Sequence, residues 1–179
     1  MSSLASIKKG FKGDVMFSLA PAPDNLSVPK DVLEEALRIV LKSKLALMKH
    51  RFFGSMALTM QWVPHCGIES YATNYVSIMF NPYAVISEKT TKMCAASLCH
   101  ETLHKIMRHC IRSVPGVDPK LQNYAMDLAI NPILVDEGWG WIRDTSVKEF
   151  VYESKYHGWH FEKILEDLLS NGTPPPIDQ

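Results

Sequence analysis

From Thr90 to Arg112 the chain carries neither glycine nor proline, and in the middle of that run stands His100-Glu101-Thr102-Leu103-His104. So long a stretch without a breaker predicts a helix over about 90–112, with Cys99, Leu103, Ile106 and Cys110 as an apolar stripe. Each helical residue turns the chain by ~100°, so His104 comes round to within ~40° of His100, one turn further along the same face. That placement constrains the whole fold. A buried helix with two imidazoles and a carboxylate beside its apolar stripe needs a second element to build a cleft against them. Two neutral imidazoles on one face can hold one zinc ion, and Glu101 points toward the same cleft. There it is expected to act as general base, taking a proton from a zinc-activated water.

Composition sets the wider bounds. A chain of 179 residues suits one domain with a proper core. Lys plus Arg number 19 and Asp plus Glu number 19, so bulk charge gives no reason to expect a nucleic-acid partner. Apolar runs fall far short of a membrane span, so no membrane partner is expected, and no continuous apolar segment follows Lys8-Lys9 to make a secretory signal. Cys66, Cys94, Cys99 and Cys110 show no C-x-x-C spacing, and the last three read as small packing residues of the motif helix. A reducing, cytoplasmic setting is the expectation.

Along the chain, residues 1–28 read as an irregular lead-in, 29–171 as the folded domain and 172–179 as a Pro-rich tail or linker. A first helix is predicted over about 29–50, with Leu33, Leu37, Val40, Leu41, Leu45 and Met48 as its apolar face and Gly54 as a break after it. Ser55 to Val63 alternates and predicts a half-buried strand stopped by Pro64. His65 to Asn74 reads as a polar connection, and Tyr75–Phe80 as a second strand. Beyond the motif helix come a turn-rich linker, a helix over about 120–131 ended by Pro132, a Gly/Trp-rich stretch and a last helix over about 160–170.

A catalytic zinc usually takes three protein ligands and keeps one position open. His109 completes H-E-x-x-H-x-x-x-x-H, but on a continuous helix it lies ~180° from His100. The metzincin pattern fails too, because Met107 and Cys110 stand where its glycine and third histidine belong. The helix predicted after Pro119 offers Asn123, Asp127 and Asn131 at i, i+4, i+8. Asp127 is the expected third ligand, with Asn131 and Asn123 supporting the ligands from behind. His157 or Tyr156 is a further candidate, as an oxyanion stabiliser. His65, Glu69 and His160 are the remaining residues of ligand type.

With these residues in hand, the chain resembles the zincin-like metallopeptidase domains found ahead of von Willebrand A-like domains in bacterial and phage proteins. The matching pieces are Ala72-Thr73-Asn74 before a strand, Phe80-Asn81-Pro82, Leu98 to His104 with His109 five residues on, Tyr124 to Pro132, and Gly158 ahead of a helix with Glu162. The resemblance implies an α+β zincin-like fold, a helix pair packed on a small sheet, and zinc-dependent hydrolysis of a peptide or protein substrate. It also implies a C-terminal von Willebrand A-like domain or partner if this chain is a fragment. In zincins a strand edge beside the motif helix holds the extended substrate, and Tyr75–Phe80 is the expected strand. The rival reading is a non-catalytic interaction or regulatory module that keeps zinc for stability.

Overall fold

The computed structural model describes residues 28–87, 90–147 and 150–171. Most of the expected lead-in and the tail lie outside these. The first helix, α1 (Lys30–Leu47), buries Ala36, Val40, Ser43, Lys44 and Leu47. This face is rotated from the expected one: Leu45 is 53% exposed and Met48 40%. Small residues explain the rotation, since Ala36 and Ser43 let the helix approach its neighbours. The Ser43 hydroxyl lies 2.9 Å from the Ile39 carbonyl and 3.1 Å from that of Thr91. Lys44 is carried inside with them, its ammonium 4.6 Å from the Trp62 ring centroid. Burial pulls its pKa down to about 8.

The predicted strand over Ser55–Val63 is a helix for its first half, α2 (Arg51–Leu58). Its buried positions, Phe53, Ala57 and then Met60, follow helical spacing. Gly54 does not break the chain. It lies inside α2, where a Cβ would meet the Leu47 carbonyl oxygen at 2.6 Å, so glycine allows α2 to pack against the end of α1.

The sheet has three short strands, β1 (Gln61–Pro64), β2 (Tyr71–Thr73) and β3 (Ser77–Phe80), in the order β1-β3-β2. β3 runs parallel to β1, with Trp62 opposite Ile78, and antiparallel to β2, with Ala72 opposite Met79. Sequence periodicity missed β2. The expected strand over Tyr75–Phe80 starts two residues late because the turn consumes them. The Asn74 Oδ1 accepts from the amides of Val76 and Ser77, and Tyr75 takes a positive φ of 71°.

After α3 (Pro82–Ser87) comes the motif helix α4 (Thr91–Ile106), started by Thr90, whose hydroxyl accepts from the Met93 amide. It is buried on every side from Cys94 to His104, not amphipathic, and Cys110 is exposed beyond its end. α5 (Pro119–Asp136) continues through Pro132, where a stop was expected. An interior proline costs ~3 kcal/mol. The burial of Leu134 and Val135 beyond it offsets that cost, at roughly 1.5–3 kcal/mol per side chain. Short 3-10 turns at Gly140–Asp144 and Ser154–Tyr156 lead to α6 (Phe161–Asn171).

The result is an α+β fold with two apolar clusters. The larger joins α1, α2, the sheet, α4 and the end of α5 with Trp139 and Phe150. The smaller joins the first half of α5 to Tyr156 and α6. No described helix is long and apolar enough to cross a membrane.

Candidate metal centre

His100 and His104 project from α4 toward Asp127 on α5, at the seam between the two clusters. The rings of this site touch both: His100 meets Phe150 edge-on at 5.9 Å between centroids, and His109 meets Phe161 at 5.5 Å. Three donor atoms converge there. The Nε2 atoms of His100 and His104 are 3.0 Å apart, and Asp127 Oδ1 lies 3.3 Å from the first and 3.2 Å from the second. Tetrahedral ligands held ~2.0–2.1 Å from a zinc ion sit about 3.3 Å from one another; the two Asp127 edges match that spacing and the His100–His104 edge, at 3.0 Å, is somewhat shorter. Asp127 Oδ1 is buried and makes no aligned hydrogen bond to either imidazole. A buried carboxylate oxygen that faces two ring nitrogens without an aligned hydrogen bond is under-satisfied, and a cation on the axis of the triangle would satisfy it. Glu101 is 8% exposed, and its carboxylate together with the two imidazoles offers ligand atoms within 4.8 Å of one another.

The charges fit the same picture. Burial by itself would depress His100, but the Asp127 carboxylate, with Glu101 and Asn131, lifts it to about 9. Burial would raise Asp127, yet the two imidazoles hold it below the ordinary carboxylate value. Positive charge between these groups is therefore favoured, as a proton or as a metal cation. Two imidazoles and a carboxylate form a donor set that suits zinc.

Each donor is braced from behind. The His100 Nδ1 is 3.0 Å from the Asn131 Oδ1, and the Asn131 Nδ2 donates to the Val151 carbonyl at 2.8 Å, which fixes the amide with its oxygen toward the ring. The Asn123 Nδ2 donates to the outer oxygen of Asp127 at 3.2 Å. Behind His104 stands a residue that helical geometry excluded. The His109 Nδ1 is 3.1 Å from the His104 Nδ1, with the ring centroids 5.1 Å apart.

The premise of a continuous helix to Arg112 is what fails. α4 ends at Ile106, Arg108 adopts a left-handed φ of 56°, and a 3-10 turn over His109–Ile111 swings His109 back against His104. His109 meets the nitrogen of His104 that faces away from the triangle, so it lies behind a donor and not among the donors. It is buried, and burial together with the neighbouring His104 drives its pKa down to about 3. Nothing in the sequence marked this turn, because no glycine stands at the left-handed position.

The remaining candidates are drawn elsewhere. The Tyr156 hydroxyl donates to Asp167 at 2.9 Å, and exposed His157 pairs with Asp136 at 2.8 Å. His160 pairs with Glu162 on the surface, exposed His65 accepts from the Gly67 amide, and Glu69 is exposed.

No curated protein and no solved structure matches this chain. A family does, and its description agrees with a buried, convergent His/His/carboxylate triangle: over residues 40–174 the chain matches, and belongs to, the family described as "Putative metallopeptidase domain".

Proposed function

We propose that the protein is a zinc-dependent metallopeptidase in which His100, His104 and Asp127 hold the metal and Glu101 is the general base. The observation that carries the reading is the triangle of Nε2, Nε2 and Oδ1 atoms with edges of 3.0–3.3 Å, next to a buried glutamate. When bound, zinc would supply a Lewis acid that makes water nucleophilic near neutral pH. The chain's own residues do the rest. The Asn131 and His109 contacts keep each imidazole turned with Nε2 inward, and Asn123 restrains the Asp127 carboxylate. Glu101 follows His100 on α4 and would take the proton released as water attacks the scissile carbonyl, then return it to the leaving amine.

The expected substrate strand changes. β3 is the central strand, paired on both sides, so its main chain is committed within the sheet. β2 is an edge strand packed against α4, and its outer side pairs with no described strand. An extended peptide would add there.

The test is metal content together with hydrolysis. Protein purified without chelator should contain close to one equivalent of zinc and cleave members of a peptide library. Glu101→Gln should keep the zinc and lose at least ~10²-fold in rate. Cleavage within a few-fold of the unaltered protein would overturn the assignment of the base. Stoichiometric zinc in a His100→Ala, His104→Ala double variant would overturn the centre. Zinc retained without any hydrolysis would favour the non-catalytic, zinc-stabilised module instead.

A further inference from the structure

We propose that His109 is a positioning residue for the metal centre, accepting the Nδ1–H of His104 as a neutral imidazole and so fixing the tautomer in which His104 Nε2 can bind a metal. The proposal rests on the reading of His100, His104 and Asp127 as metal ligands. It follows from a simple proton count. Two Nδ1 atoms 3.1 Å apart need one proton between them, one ring donating and the other accepting. His104 has its Nε2 in the donor triangle, where a lone pair is wanted, so its own proton belongs on Nδ1. His109 is then the acceptor, and its proton resides on Nε2. His109 also lines a cavity of about 300 Å³ together with Arg112 and His157, which leaves room for an acceptor to that second N–H.

The fold goes out of its way to make this contact. A regular helix would carry His109 to the far side, and the left-handed Arg108 returns it. Phe161 of α6 then holds the ring edge-on, and Arg112 locks the turn, donating to the Met107 carbonyl at 2.9 Å and to Glu162 at 2.8 Å. His109 does not serve as a ligand of the same ion, since it meets the outward nitrogen of His104. Ligating histidines commonly donate their second N–H to a carboxylate or carbonyl. An uncharged imidazole orients the ring without adding negative charge behind the metal.

Two measurements decide the matter. In the unaltered, zinc-loaded protein, a two-bond nitrogen–proton correlation of the imidazoles should find His104 protonated at Nδ1 and His109 at Nε2. A proton on the His109 Nδ1 overturns the proposal. In chelator competition with zinc, His109→Leu should weaken binding by ~10–100-fold. His109→Gln, whose amide oxygen accepts the same bond, should recover most of that loss. Unchanged affinity in His109→Leu, or no recovery in His109→Gln, overturns it. A His100→Ala control separates the two readings. If His100→Ala loses zinc and His109→Leu does not, only the role of His109 falls. If His100→Ala keeps its zinc, the metal centre itself falls. Should His109→Leu fail to fold, the tautomer measurement on the unaltered protein still decides.

Discussion

His100 and His104 sit one turn apart on α4, yet they are braced by different means. Behind His100 stands Asn131, an amide that arrives on the neighbouring helix α5 and is itself anchored to the Val151 carbonyl. Behind His104 stands His109, which belongs to the end of the same chain segment and reaches its partner only because the helix stops. The first brace is a product of regular geometry. Asn123, Asp127 and Asn131 recur every four residues, so one helix face delivers a support for Asp127, the carboxylate itself and a support for His100. The second brace is a product of irregular geometry, a left-handed residue followed by a 3-10 turn. A buried site can thus draw one half of its outer contacts from helical repetition and the other half from the point at which repetition ends.

The largest expected effect comes from removing the vertex that both arms share. Asp127→Ala should lose zinc more severely than any change behind a ligand, beyond the ~10–100-fold typical of an outer hydrogen-bond partner. It should also leave the two Nε2 atoms facing each other at 3.0 Å without a counter-charge. Equilibrium dialysis against zinc checks this, and an affinity close to that of the unaltered protein would mean that the triangle is only an ion pair.

Next in size is Asn131→Ala, which breaks the regular arm. Asn131 is fully buried and bonds on both sides. Its loss should weaken zinc binding by ~10–100-fold. Stranding the Val151 carbonyl and the His100 N–H should cost a further ~1–3 kcal/mol of folding stability each. Denaturant unfolding of the metal-free protein isolates the second effect. A variant that loses zinc but no stability would show that Asn131 acts on the ligand alone.

The difference between the arms also explains how much of the site was legible. His100, Glu101, His104 and Asp127 could be singled out because each is specified by spacing on a helix, and the structure brings three of their donor atoms together. Asn131 and Asn123 followed from the same repeat. His109 was placed on the wrong side for a physical reason: the run from Thr90 to Arg112 has no breaker, and Arg108 enters the left-handed region without a glycine to announce it. The fold shows a similar division. α4, α5 and α6 are legible apart from their ends, α4 from a long run without glycine or proline and α6 from its apolar face. Met56-Ala57-Leu58-Thr59-Met60 suits either a strand or a helix, and packing of Gly54 on α1 decides for the helix. β2 is three residues long and half-buried, too short for alternation to show. Pro132 stops a helix only when nothing beyond it is worth burying.

The smallest effect, and the sharpest test of the irregular arm, lies at Arg108. Its side chain is exposed, so substitutions there act through the backbone. A left-handed conformation costs an L-residue ~1–2 kcal/mol, and glycine escapes that cost while adding roughly 0.5–1 kcal/mol of unfolded-state entropy. Arg108→Gly should therefore be neutral to stabilising, by up to about 1.5 kcal/mol, with zinc affinity unchanged. Arg108→Val places a β-branched side chain in the same conformation and should destabilise by at least ~1 kcal/mol. If the turn relaxes toward a continuing helix to escape that strain, His109 is drawn away from His104 and zinc affinity falls with it. The pair of variants thus separates the strain of the turn from its service to the site. Equal stabilities for glycine and valine, measured by thermal unfolding of the metal-free proteins, would mean that the left-handed residue is not what returns His109 to the metal centre.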